Sequence, residues 1–304
     1  METKILVPLD GSPLSEQSLS YATTLGQRLP AELVLFSAVA IPSEVLEALA
    51  KVGLGSEPLF EELEIEAGEH LEVVSHRLSK AELSVSQVVL RSRAAEAIVE
   101  YAEQADIQLI VMASHGYTGI ARWTHGSVAE RVLQSASVPV LLVRAKEGIT
   151  QKLPEAHPCR RVLVPLDGSK LAEQVLPAII PIAAALGCEV TLLRVLAVDT
   201  AGPFTGRWYL PQNSTFETAD QDARSYLECL ASHIEEQGIW VSTAVQLGPV
   251  AKSIVEHAEG HDVDLIAMCT HGRTGIARWA LGSVADRVLR AGDKPVLLVR
   301  ARRR

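Results

Sequence analysis

Aromatic residues are scarce, at 4% of 304 positions, so the core cannot rest on ring stacking and must be filled by Val, Leu, Ile and Ala. That filling suits a parallel sheet covered by helices on both faces. Cysteine is equally sparse. Cys159, Cys188, Cys229 and Cys269 lie far apart, with neither a Cys-x-x-Cys pair nor a histidine at zinc spacing. This argues against the common zinc modules and reads as reduced, mostly buried thiols. Long hydrophobic runs are absent too. The longest, Val175 to Leu186, is too short to span a bilayer and is broken by Pro177 and Pro181. Basic residues are outnumbered, 28 Lys and Arg against 37 Asp and Glu, for a net charge of −9. Without a basic stripe such a chain is repelled by phosphate backbones. The one dense basic run, Arg300, Arg302, Arg303 and Arg304, reads as a solvated terminus or an interaction tail. Neither nucleic acid nor membrane is therefore expected as a partner. The start, Met1-Glu2-Thr3-Lys4, leads directly into an apolar segment with no signal-peptide pattern, so a cytoplasmic location is expected.

What is present is a duplication. Lys4-Ile5-Leu6-Val7-Pro8-Leu9-Asp10-Gly11-Ser12 returns as Arg161-Val162-Leu163-Val164-Pro165-Leu166-Asp167-Gly168-Ser169. Ser114 to Ala145 returns without a gap as Thr270 to Ala301, about two-thirds identical. A period this long means a duplicated domain rather than a solenoid. The expected organisation is one domain over residues 1–146, a Pro/Gly-containing linker over 147–158, and a second domain over 159–304.

Within the first half, strands are predicted near Ile5–Pro8, Leu33–Val39, Val85–Leu90, Leu109–Met112 and Val140–Val143. Helices are predicted over Pro13–Leu29, within Leu59–Ser79, and over Ala94–Gln104 and Ser127–Gln134. Ser12 and Pro13 suit an N-cap and a first helical position. Strands alternating with helices of this length predict parallel βαβ units, hence an α/β, doubly wound sheet in each half. The second half adds an irregular stretch, Asp199 to Asp220, which could be a lid or a plain surface loop.

In open parallel sheets ligands bind beyond the carboxyl ends of the strands, where the strand order reverses. Two features fall there. Asp10 and Asp167 follow the first strand of each half. A loop, Ala113-Ser114-His115-Gly116, is followed after nine residues by Gly126-Ser127; its twin is Cys269-Thr270-His271-Gly272, then nine residues, then Gly282-Ser283. A Gly lets the backbone approach a ligand closely, and a helix start favours phosphate through its unpaired N–H groups and dipole. Asp10 can accept a hydrogen bond from a ribose hydroxyl or an exocyclic amine. The same residues read equally as a turn with an N-cap and as a plain helix start.

Val-Pro-Leu-Asp-Gly-Ser, Ser/Thr-His-Gly with Gly-Ser nine residues on, and a closing Pro-Val-Leu-Leu-Val together resemble the universal stress protein family, of the tandem two-domain type. The resemblance spans nearly the whole chain twice. It implies five parallel strands per domain in the order 3-2-1-4-5, with the reversal between strands one and four. Its ATP-binding branch carries Gly-x-x-Gly, nine residues, Gly-Ser/Thr. Carried over, Pro8, Asp10, Met112, Ala113, His115, Gly116, Gly126, Ser127 and Val128 would surround the nucleotide in half one. Pro165, Asp167, Met268, Cys269, His271, Gly272, Arg273, Gly282, Ser283 and Val284 would do so in half two. The first Gly of that pattern is replaced by Ala113 and by Cys269, whose Cβ atoms bear on how closely the backbone can approach a nucleotide.

Other signals count for less. The P-loop pattern is missing, and Gly53-Leu54-Gly55 lacks both the third Gly and a preceding strand, so neither phosphate fingerprint applies. His257 and His261, near Asp262 and Asp264, could form a metal face, but Gly260 interrupts their helix and half one has no counterpart. His115 and His271 could serve acid–base chemistry or orient the loop. Trp123 and Trp279 read as packing residues. The leading reading is a non-enzymatic cytoplasmic stress-response module that binds ATP or a related adenine nucleotide in one or both halves. A second is an interaction module without nucleotide, and a third a slow ATPase. By the family order, Val140–Val143 and Val296–Val299 would pair the halves as a pseudo-dimer, with a homodimer also open.

Overall fold

Each repeat turns its apolar runs into a parallel sheet. The computed structural model describes residues 3–115, 127–146, 159–197, 216–271 and 281–301, with the backbone alone at 115 and 216. The chain divides into two units, Met1–His157 and Pro158–Arg304. In the first, β1 (Thr3–Pro8) leads through a 3-10 turn (Ser15–Ser18) into α1 (Leu19–Arg28). There follow β2 (Ala31–Val39), α2 (Ser43–Lys51), α3 (Glu57–Ser79), β3 (Ser84–Arg91), α4 (Ala94–Gln104), β4 (Leu109–His115), α5 (Ser127–Ser135) and β5 (Val140–Ala145). The second unit repeats this as β6 (Arg161–Pro165), a 3-10 turn (Ala172–Val175), α6 (Leu176–Leu186), β7 (Glu189–Ala197) and α7 (Phe216–Glu235). It then continues with β8 (Val241–Gly248), α8 (Val250–Gly260), β9 (Leu265–Cys269), α9 (Ser283–Ala291) and β10 (Val296–Val299).

Strand order is β3-β2-β1-β4-β5 in the first unit and β8-β7-β6-β9-β10 in the second. All these pairings are parallel. Both units are thus doubly wound in the expected 3-2-1-4-5 order. Ile5, Leu6 and Val7 are consecutive and each 0% exposed. Because successive strand side chains face opposite sides, helices must cover both faces. Val162, Leu163 and Val164 repeat this burial. Each such side chain contributes about 1.5–3 kcal/mol by leaving water.

Several expectations need correction. The helix expected from Pro13 begins later: residues 15–18 form a 3-10 turn and α1 starts at Leu19. The Ser12 hydroxyl still accepts the Ser15 N–H, at 3.1 Å, so it caps the tighter turn rather than an α-helix. The unforeseen α2 buries none of its residues, although Val45, Leu46 and Leu49 recur at helical spacing. The run from Val175 is not broken by its prolines. Pro177 sits in the first turn of α6, where its missing N–H is not needed, and the helix continues through Pro181 because Ile179, Ile182 and Ala183 anchor it in the core. Gly260 likewise ends α8 instead of interrupting it. Of the irregular stretch, residues 199–215 lie outside the described residues, and 216–220 already belong to α7.

The thiols also differ from expectation. Cys188 and Cys269 are buried and Cys159 half-buried, but Cys229 is exposed. Cys159 and Cys188, distant in sequence, lie with their sulfurs 3.6 Å apart.

Candidate functional site

The crevice arises because strands beside the reversal point part company. β1 pairs with β4 through Ile5–Leu109 and Leu6–Ile110. Beyond that, β1 stays with β2 to Pro8–Phe36, and the Leu9 N–H donates to the Phe36 carbonyl at 2.8 Å. β4 instead follows β5 as far as His115–Ala145. The second unit does the same. β6 meets β9 at Val162–Leu265 and Leu163–Ile266, after which the Leu166 N–H goes to Leu193 and β9 runs with β10 to Cys269–Val299. Pro8 and Asp10, or Pro165 and Asp167, stand on one wall. Buried Met112 with half-buried Ala113, or buried Met268 with Cys269, stand on the other.

The aspartate loops are built alike. Asp10 Oδ1 accepts the Ser12 N–H at 3.0 Å and its hydroxyl at 2.6 Å. Asp167 Oδ1 accepts the same pair from Ser169 at 2.9 and 2.5 Å. The Ser169 hydroxyl in turn accepts the Ala172 N–H at 3.2 Å. Each aspartate therefore holds its own turn, so the turn reading is realised at both places. The carboxylate is exposed at Asp10 and half-buried at Asp167.

Cys269 occupies the position of the absent first Gly. Its thiol is 6% exposed and lies 3.5 Å from the Ala172 carbonyl, turned toward the 3-10 turn. Burial, with the Asp167 charge adding to it, pushes this thiol up to about 12, so it is protonated at neutral pH and is not a nucleophile. Next to it, the hydroxyl of buried Thr270 and His271 Nδ1 are 3.1 Å apart. This is a contact between neighbours that orients the imidazole.

Gly282 is placed by packing. Its N–H donates to the Thr270 carbonyl at 2.8 Å, and a Cβ there would lie 2.4 Å from that oxygen. The start of α9 is thereby held directly against the end of β9. Ser283 is exposed and Val284 half-buried at the first turn. With the Gly282 N–H spent, the N–H groups of Ser283, Val284 and Ala285 are the ones a helix start leaves without intrahelical acceptors, the first such bond running from Asp286 to Gly282. In the first unit Ser127 and Val128 open α5 in the same way. Gly116, Gly126, Gly272 and Arg273 lie outside the described residues, as do Trp123 and Trp279; of His115 only the backbone is described.

Some supporting residues were not anticipated. Buried Gln17 clamps the backbone after β5, donating to the Lys146 carbonyl and accepting its N–H, both at 2.8 Å. Glu16 binds Arg77 of α3 at 2.6 Å, whereas Glu173 accepts the Tyr226 hydroxyl of α7 at 3.3 Å. The one available signal was the repeat of Glu-Gln at 16–17 and 173–174. The histidine pair is a structural stack: the rings of His257 and His261 lie 4.0 Å apart, with His257 bonded to Gln246 at 2.8 Å. Among the described residues no group of three or more His, Cys, Asp or Glu could hold a metal ion. No described helix is long and apolar enough to cross a membrane.

The strand order reverses between the first and fourth strands of each unit, beside an aspartate turn, which defines a doubly wound α/β domain, here present twice. The sequence profile of the universal stress protein family matches residues 1–144 and 158–300, and the chain belongs to that family. A universal stress protein of Synechocystis is 24% identical over 313 residues, covering 97% of this chain and 99% of its own. One from Methanocaldococcus jannaschii is 34% identical over 145 residues, 46% of this chain and 82% of its own. The crystal structure of a universal stress protein from Archaeoglobus fulgidus superposes with a TM-score of 0.71 at 21% identity, covering 98% of each chain, a likeness of fold.

Proposed function

We propose that this protein binds an adenine nucleotide, ATP by the family resemblance, in the reversal-point crevice, and that it works as a cytoplasmic stress-response module by binding rather than turnover. The observation that carries the reading is the seating of α9. Gly282 folds onto Thr270, which holds the start of α9 at the carboxyl end of β9, the neighbour of the strand that leads into Asp167. In this reading Asp167 takes a ribose hydroxyl or the adenine amine, and the Ser283 and Val284 N–H groups take phosphate. Asp286, in that first turn, would oppose a phosphate, but its charge is met by Arg290 at 2.9 Å. The second half is the stronger site, because Arg273 stands where the first half has Tyr117. The domain limits 1–146 and 159–304, and pairing of the halves or of whole chains through Val140–Val143 and Val296–Val299, belong to the same proposal. The repeat supports the limits, and the apolar character of the last strands supports the pairing.

Calorimetric titration of ATP into the full chain tests it. Asp167→Asn keeps the oxygen that accepts the Ser169 N–H, so the turn survives while the charge is lost. It is expected to weaken ATP about tenfold, the worth of one charge-assisted bond; Asp10→Asn changes little. The reverse order would move the site to the first half. No heat at millimolar ATP would favour the interaction module, the reading that Ala113 and Cys269 in place of Gly support. Steady release of phosphate would instead make the protein a slow ATPase.

A further inference from the structure

At the opposite end of the second sheet lies a feature unrelated to nucleotide. β6 and β7 are neighbours in register Arg161–Glu189, and the Glu189 N–H donates to the Arg160 carbonyl at 2.8 Å. Cys159 precedes β6 by two residues and Cys188 precedes β7 by one, so the pairing brings both to the amino ends of adjacent strands. Their sulfurs are 3.6 Å apart, and the Cys188 thiol also donates to the Cys159 carbonyl at 3.0 Å. Cys188 is held there from behind: Gly187 ends α6 in the left-handed conformation, φ 66°, and the Cys188 N–H returns to Ala183 at 2.9 Å.

We propose that Cys159 and Cys188 form a reversible disulfide that clips the start of the second unit to the end of α6 when the protein meets a peroxide. One sulfur, as thiolate, attacks an oxygen of hydrogen peroxide; the O–O bond breaks, a sulfenic acid forms and hydroxide leaves. The second thiol attacks that sulfur, forming the S–S bond and releasing water. Two thiols lose two electrons and two protons, and the peroxide becomes two waters. A dithiol reductant reverses the link by exchange.

Closing the bond needs the sulfurs to approach by about 1.5 Å, given an S–S length near 2.05 Å. Small changes in the two side-chain torsions suffice, because the backbones are already paired neighbours. The contact between the sulfurs lowers the Cys188 thiol, against its burial and the Asp264 charge, while the same contact, then burial, raises Cys159. Cys188 is therefore the sulfur that meets the peroxide as thiolate, and Cys159 the thiol that closes the bond. The first unit has Glu2 and Ala31 at the matching positions and cannot form the link.

The full chain is treated with excess hydrogen peroxide, alkylated and digested with trypsin. Peptides 153–160 and 171–194 should be recovered joined, lighter by two hydrogens than their sum, and separate after a dithiol reductant. Exposed Cys229 serves as a control that stays out of the link. The oxidised protein should melt at least a few degrees higher than the reduced one, as expected for closing a loop of about thirty residues. Cys188→Ala should abolish both changes while Cys229→Ala keeps them. Recovery of Cys159 and Cys188 as separate alkylated or over-oxidised peptides, or a link through Cys229, would overturn the proposal.

Discussion

The two units share strand order, the aspartate turn and a first strand buried at its centre, yet their long helices are tied down differently. In the first unit Glu16 binds Arg77 at 2.6 Å, and His70 lies 3.6 Å from the same carboxylate, all of them partly buried. Arg91, ending β3, also reaches back to Glu57 and Glu64 of α3 and lies over the Phe60 ring. In the second unit the neutral Tyr226 hydroxyl replaces the guanidinium, and Gly248 stands where Arg91 would be. Burial, with Glu173 beside it, raises the Tyr226 hydroxyl, which keeps it a donor. Duplicated backbones thus keep their hydrogen-bond frame while the side chains that fasten the helices drift. The unit whose long helix is met by the Tyr226 hydroxyl is also the one that carries the thiol pair and the buried Cys269 thiol.

The sharpest break of this comparison is Gly282→Val. Its Cβ would meet a backbone carbonyl at 2.4 Å, which no rotamer relieves. A loss above about 3 kcal/mol is expected in urea unfolding, carried by the second unit while the first keeps its midpoint. For this reason loss of ligand in that variant would say nothing about a site. Core truncations should be matched instead. Leu6→Ala and Leu163→Ala, both at 0% exposure, should each cost about 2–5 kcal/mol, and a twofold difference would show that one sheet relaxes more than the other.

Smaller effects separate the anchors. Glu16→Gln leaves the Arg77 guanidinium partly buried without its carboxylate and should cost about 1–3 kcal/mol. Glu173→Gln still offers Tyr226 an acceptor, and the Lys170 it also meets is 90% exposed, so the cost should stay below about 1 kcal/mol. Equal losses would deny the contrast. The smallest effect concerns pH. Burial, then the neighbouring His261, lowers His257 below the ordinary histidine value. Between that lowered value and about 6.5 the unfolded chain binds more protons than the folded one. Stability of the second unit is thus full above about pH 6.5 and declines as the pH falls through that window. The fall in melting temperature from about pH 7 to pH 5 should be smaller in His257→Asn than in the parent.

Much of this was legible in the chain itself. Ala94–Gln104 was readable to the residue, since its apolar positions recur at helical spacing with a buried face of Ala95, Ala97, Ile98 and Ala102. The strands were readable because runs such as Ile5 to Val7 are buried on both faces. The first turn of α1 was misread because Ser12, Ser15 and Ser18 bond to one another and to nearby carbonyls, which tightens the chain into a 3-10 turn. Of the candidate site, the aspartate turns and helix starts could be named, but not that Gln17 clamps Lys146. The spacing of 129 residues between those two partners carries no local signal.

The sequence by itself determined the duplication, the doubly wound architecture and the family, because those depend on periodic burial and on short motifs repeated in register. Only the tertiary structure decided which distant residues meet. It put Gly282 against Thr270, turned the Cys269 thiol toward Ala172, and set Cys159 beside Cys188 although the sequence shows no cysteine spacing to suggest it. The physical reason is that strand pairing joins residues by sheet neighbourhood. Two positions 29 apart in the chain become contacts when adjacent parallel strands begin at the same level, and nothing in the local sequence of either position records that meeting.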